Sequence, residues 1–133
     1  MTYLLDTNTC ITFLRGRNLS VADKLYSIKR EDIALCSIVK AELYFGAHRS
    51  QNPEKSLSLL CDFFSSFKSL SMDDEVASQY GKIRSELTQR RITIGPHDLL
   101  IASIAIANNL TLVTHNTREF SRIQNLEIED WEK

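Results

Sequence analysis

Glycine and proline are scarce in this chain, four and two residues in 133, and no stretch gathers them with serine into a linker. Collagen-like, proline-rich and low-complexity segments are thereby excluded, and no internal repeat is visible. Cysteine is also sparse: Cys10, Cys36 and Cys61 are odd in number and widely spaced. They form neither a disulfide framework nor a zinc-ligand pattern, and they read as small buried apolar residues. His48, His97 and His115 show no ligand spacing either. The longest nearly apolar run, Leu99 to Ala107, is too short to span a bilayer. Met1-Thr2-Tyr3-Leu4-Leu5-Asp6 lacks the basic patch and apolar stretch of a secretory signal. The expectation is a cytoplasmic protein with no membrane role.

An excess of one charge is missing too. Sixteen basic and seventeen acidic side chains leave a net charge of −1. A protein that held nucleic acid by bulk charge would be strongly basic, because phosphate neutralisation dominates that affinity. Any nucleic-acid role must therefore use a local basic rim, for which Arg15, Arg17, Lys40, Arg49, Arg90, Arg91 and Arg118 are candidates. Each of these is equally well read as a solvated surface charge.

What the chain does have is 43% hydrophobic residues arranged as short apolar runs between stretches of helical period. That alternation predicts one α/β domain over residues 1–133 with a mostly parallel central sheet. Tyr3 to Leu5 reads as a first strand, with a helix from Asn8 to Leu14 that stops near Gly16. Ile33 to Cys36 reads as a second strand, and Ser37 caps a helix running to His48. Asn52-Pro53 starts another helix, with Leu57, Leu60, Cys61, Phe64 and Phe67 at helical spacing. Asp73, Asp74 and Glu75 open a helix whose stripe is Val76, Ala77, Tyr80, Ile83 and Leu87. Gly95-Pro96 breaks the chain, and Asp98 begins a helix that is apolar all round to Ala107 and hence buried. Leu110 to Thr114 reads as a strand, and Leu126 to Ile128 as a short edge strand.

Four carboxylates fall at comparable places in this plan. Asp6 follows the first strand, Glu42 lies in the helix after the second, Asp98 opens the buried helix, and Glu119 lies past Thr114. Ligands of open α/β sheets bind beyond the carboxyl ends of the strands, which gives these acids a route to one crevice. Each also has a plainer reading, Asp6 and Asp98 as helix caps and Glu119 as a solvated charge. Glu42 is harder to set aside, because helical spacing puts it among Ile38, Val39, Phe45 and Gly46, inside an apolar arc. A carboxylate buried there needs a cation or a hydrogen-bond network. Arg49 on the same face is one candidate, a metal ion the better one. Four converging acids repel one another, and oxygen-only ligands select a hard ion, magnesium or manganese.

The sequence resembles the PIN-domain ribonucleases, and among them the VapC-type toxins of bacterial toxin–antitoxin pairs. The likeness runs along essentially the whole chain. It is carried by Leu5-Asp6-Thr7-Asn8, Ala41-Glu42-Leu43-Tyr44-Phe45-Gly46-Ala47, Ile94-Gly95-Pro96-His97-Asp98, Ile101-Ala102, and the segment from Val113 to Phe120. The resemblance implies a PIN-like α/β/α sandwich, magnesium-dependent RNA cleavage, homodimers and inhibition by a VapB-type antitoxin. It matches Asp6, Glu42 and Asp98 to the family's acidic triad, and it places a fourth acid at Glu119, with Asn116 at the nearer position. The Asn116-Thr117-Arg118-Glu119-Phe120 ending is similar to that of members cutting initiator tRNA in the anticodon stem-loop.

On this reading Asp6 and Asp98 are the direct metal ligands, with manganese a possible substitute for magnesium. Glu42 and Glu119 hold further waters or a second ion. Thr7 and Asn8 position phosphate or water, while Thr114 and Asn116 hydrogen-bond nearby. Operator DNA would be contacted only through the antitoxin, since nothing here reads as a recognition helix. Two rivals stand beside it. Asp6-Thr7-Asn8-Thr9 also suits the nucleophile loop of a haloacid-dehalogenase-like phosphatase, with Asn8 where that family has its second acid. A non-catalytic binding module would use the acids only to stabilise helix starts.

Overall fold

The computed structural model describes residues 1–133. Five short strands, β1 (Tyr3–Leu5), β2 (Ile33–Cys36), β3 (Lys68–Leu70), β4 (Thr111–Val113) and β5 (Ile128–Glu129), make one sheet in the order β3-β2-β1-β4-β5. Every pairing is parallel, so the sheet is parallel throughout. Parallel neighbours need long crossovers, and seven helices supply them and cover the sheet in an α/β/α sandwich. They are α1 (Thr7–Arg15), α2 (Leu19–Ser27), α3 (Ser37–His48), α4 (Pro53–Phe64), α5 (Asp74–Gln89), α6 (Pro96–Ala107) and α7 (Thr117–Phe120).

The strand order creates the site's location. From β1 the chain moves to one side of the sheet through β2 and β3, then returns to lay β4 on the other side of β1. The connections leaving β1 and β4 therefore depart in opposite directions and open a crevice beyond their carboxyl ends. Asp6 and Thr114, the residues just after those two strands, flank it. Asp6 N–H still donates to the Val113 carbonyl at 3.1 Å, so the edge of the sheet holds the crevice wall in place.

Several expectations are met by the local chemistry. Gly16 ends α1 in the left-handed region (φ 67°), and its N–H donates to the Phe13 carbonyl, a closure that glycine makes without a Cβ penalty. Asn52 caps α4 ahead of Pro53, and Asp73 caps α5 through the Val76 amide. α6 is the central buried helix: Leu99, Ile101, Ala102, Ser103, Ile104 and Ala105 are all buried, and the Ser103 hydroxyl is satisfied by the Leu99 carbonyl at 2.7 Å. Trp131 is buried at the far edge, its ring 5.3 Å from that of Tyr3.

Other expectations are corrected. α1 begins at Thr7 and α6 at Pro96, two residues before Asp98, and the last strand is Ile128–Glu129. α4 stops at Phe64 because residues 65–67 turn to feed β3, an edge strand with too little hydrophobic alternation to read from sequence. α2 was equally illegible, a short helix capped by Asn18. Cys10 and Cys36 are buried, but Cys61 is exposed on the outer face of α4, as is Ala77 on α5.

Candidate active site at the β1–β4 crevice

Asp6 is 5% exposed and does two jobs. Its carboxylate caps α1 by accepting the Thr9 amide at 2.8 Å, so the plain capping reading holds, and it faces the crevice as well. Burial raises its pKa, the Thr114 hydroxyl and the Thr9 hydrogen bonds oppose the rise, and the Glu42 charge adds to it. Thr114 is itself fully buried, and its Oγ1 accepts the Asn116 amide at 3.0 Å.

Glu42 departs from expectation in its surroundings. Phe45 points to solvent at 65% exposure, so the arc is not a buried one, and the Glu42 side chain retains 31% of its exposure. A hydrogen bond holds it in place: Thr7 Oγ1 donates to Glu42 Oε1 at 2.6 Å. His97 Nδ1 lies 3.5 Å from the other oxygen. Arg49 makes no pair with Glu42; it stacks over the Phe45 ring at 5.6 Å.

Asp98 sits in the first turn of α6 without capping it; Gly95 holds the cap position. Its carboxyl is pushed up to about 6, first by burial and then by Glu119, Asp6 and Glu42, with only His97 pulling the other way. The other three acids thus act on Asp98 across the crevice, and Glu42 acts on Asp6 as well. Glu119 is fixed from two sides, accepting the Gly95 amide at 3.3 Å and Asn116 Nδ2 at 3.0 Å. Asn116 is thus the side chain that aims the Glu119 carboxylate. Asn8 is exposed beside the cluster on the first turn of α1 and makes no side-chain bond.

The donor set fits a hard divalent cation. It consists of carboxylate oxygens with hydroxyl and amide support, and two of its members are driven toward the neutral form, first by burial and then by neighbouring carboxylates. The acids are spaced more widely than a closed cage, since the one trio with ligand atoms all within 4.8 Å lies elsewhere. Magnesium retains several waters, and an open, water-filled arrangement of carboxylates suits it. That other trio is His115, Asp130 and Glu132, with His115 Nδ1 3.0 Å from Asp130 Oδ2 and 3.6 Å from Glu132 Oε2. Sequence spacing missed it because the partners lie after different strands, β4 and β5.

Three comparisons address this geometry. Residues 3–126 match the PIN domain. Ribonuclease VapC2 of Rickettsia felis is 42% identical over the full length of both chains. The chain belongs to the PIN-domain family, and within it to the VapC type. The tRNA(fMet)-specific endonuclease VapC of Shigella flexneri is 36% identical over 97% of each chain. The crystal structure of VapBC2 from Rickettsia felis, bound to a DNA fragment from its promoter, superposes with a TM-score of 0.92 at 41% identity, covering 98% of this chain and 99% of that one. A PIN fold accounts for the parallel sheet and the crevice, and it leaves the phosphatase reading of Asp6 without support.

Proposed function

We propose that this PIN domain, a single unit over residues 1–133, is the toxin of a toxin–antitoxin pair and a magnesium-dependent endoribonuclease. The observation that carries the reading is the four-acid crevice, in which burial, and then Glu119, Asp6 and Glu42, push the Asp98 carboxyl up to about 6. Magnesium, for which manganese can substitute, would be held by Asp6, Asp98 and Glu42, and it supplies charge neutralisation and a more acidic water. Asp6 stays in place through the Thr9 amide, and Thr7 orients Glu42 toward the crevice. Glu119, aimed by Asn116, accepts the proton of the attacking water. Water attacks the phosphorus, so the products carry a 5′-phosphate and a 3′-hydroxyl.

The substrate we favour is initiator tRNA, cut in its anticodon stem-loop. Its support is the Asn116-Thr117-Arg118-Glu119-Phe120 segment and the similarity to the Shigella flexneri endonuclease. The protein acts in the bacterial cytoplasm as a homodimer bound by a VapB-type antitoxin, through which the complex reaches operator DNA. A groove of about 380 Å³ between α1, α3 and α4, lined by Ile11, Leu14, Leu43, Leu59 and Leu60 and opening on Glu42, offers apolar surface for that antitoxin.

The test is incubation of the antitoxin-free protein with total bacterial RNA and magnesium, beside Asp6→Asn and an EDTA control, with sequencing of new 5′ ends. Cuts that need both magnesium and Asp6 establish the nuclease. Cyclic 2′,3′-phosphate ends would reject hydrolysis by water. Absence of cuts from the folded protein would favour the non-catalytic binding module.

A further inference from the structure

Beside the acids lies a second cavity, of about 270 Å³, lined by Thr93, Asn116, Arg118, Glu119 and Arg122 with no hydrophobic residue among them. Asn116 and Glu119 line this cavity, and Glu119 also acts on Asp98, so the cavity adjoins the acidic crevice at Glu119. Arg118 and Arg122 are four residues apart, where the short α7 and the turn after it set both against the same cavity. Neither guanidinium takes part in an ion pair. Neither is spent on a hydrogen bond within the chain: Arg122 is bonded through its backbone alone, its N–H donating to the Glu119 carbonyl at 3.3 Å and its carbonyl accepting from Arg90 Nη1 at 3.0 Å. Arg90 is in turn tied to Glu86 on α5 at 3.5 Å. The turn that carries Arg122 is thus pinned from α5, while its own positive charge is left free at a polar cavity.

A chain of net charge −1 with a four-acid crevice repels a polyanion unless cations stand beside the crevice. Two unpaired arginines adjoining Glu119 meet that need, and the planar guanidinium is suited to two-point contact with phosphate oxygens. We propose that Arg118 and Arg122 form a backbone clamp that holds the RNA phosphate next to the scissile one, setting the scissile phosphate against Asp98 and Glu119. The clamp rests on the nuclease reading above and adds to it the residues that bind substrate. It reads charge and spacing, not bases, because phosphate contacts position a nucleic acid without specifying its sequence. Arg90 is a positioning residue that acts through the Arg122 carbonyl.

The test uses the full chain and a fluorescein-labelled RNA stem-loop. Arg118→Ala, Arg122→Ala and Arg122→Lys are each made in the active protein for kcat and KM. Each is also made on an Asp6→Asn background for anisotropy over roughly 50 to 300 mM KCl, where counterion release is read most directly. Lys24→Ala, exposed on α2, is the control. Each alanine change raises KM and Kd about ten-fold, the size of a lost charge-assisted contact. Each also lowers the slope of log Kd against log salt by about 0.7, the value for one phosphate on a single strand. The lysine variant restores most of the slope, and Lys24→Ala matches the parent.

Magnesium-dependent cleavage with unchanged Kd and salt slope in both alanine variants would overturn the clamp and leave the nuclease intact. Affinity lost with no change in slope would also overturn it, since that is the mark of a structural role. Failure of the parent to bind or cut RNA, with antitoxin affinity falling in the arginine variants, would overturn both readings and assign the cavity to the protein partner.

Discussion

Replacing Asp98 by asparagine should stabilise the metal-free protein near neutral pH, although it removes a proposed ligand. The carboxyl of Asp98 rises from 3.8 to about 6 on folding, through burial and three neighbouring carboxylates, and no hydrogen bond offsets the rise. A shift of that size corresponds to about 3 kcal/mol between the protonation states. Because the side chain is only half-buried, solvent screening reduces this to roughly 1.5 kcal/mol. The sign follows from proton binding. Between the unfolded and folded pKa values the native state holds more protons, so stability falls as pH rises through that window and stays low above it. Asparagine has the same shape and no charge to oppose. Urea unfolding in EDTA at pH 7.5 should therefore show Asp98→Asn more stable by roughly 1.5 kcal/mol, or about 5 °C in Tm. At pH 4.5 about a third of that gain remains, since the native carboxyl is then protonated. Added magnesium reverses the order, stabilising the wild type by mass action and the variant less. A variant no more stable than wild type at pH 7.5 in EDTA, or a gain that does not shrink in acid, would refute the destabilisation of the Asp98 charge by burial and its three neighbouring acids.

Three further outcomes follow from other parts of the structure. Thr7→Val removes the 2.6 Å hydrogen bond that orients Glu42, so the magnesium concentration for half-maximal cleavage should rise about ten-fold, with Thr7→Ser close to wild type. A magnesium titration of RNA cleavage checks this, and unchanged dependence in Thr7→Val would detach Thr7 from the site. Trp131→Ala empties a 2%-exposed position against Tyr3 and should cost about 3 to 5 kcal/mol in urea unfolding. In the folded protein one thiol, Cys61, should react promptly with a maleimide, while Cys10 and Cys36 react only on unfolding. Rapid modification of all three, read by mass spectrometry, would contradict the packing around β2 and α1.

The sequence by itself determined the elements whose signals are local. β1, β2 and β4 are short apolar runs, α6 is apolar on every side, and Gly16, Asn52-Pro53 and Asp73 mark helix ends with their own side-chain or backbone chemistry. Asp6, Glu42, Asp98 and Glu119 were legible for a related reason, since each falls at a fixed distance from one of those elements. α2 and β3 were not legible, because one is a short exposed helix and the other an edge strand with only Leu70 partly buried; both are held by neighbours rather than by pattern.

Only the tertiary structure decided how the acids are held. Thr7 meets Glu42 across 35 residues, and Gly95 meets Glu119 across 24. The exposure of Phe45 and Cys61, and the meeting of His115 with Asp130, depend equally on which face a neighbour covers. The physical reason is the return of the chain to lay β4 beside β1. That single pairing brings distant carboxylates into one field, and no spacing along the sequence records it.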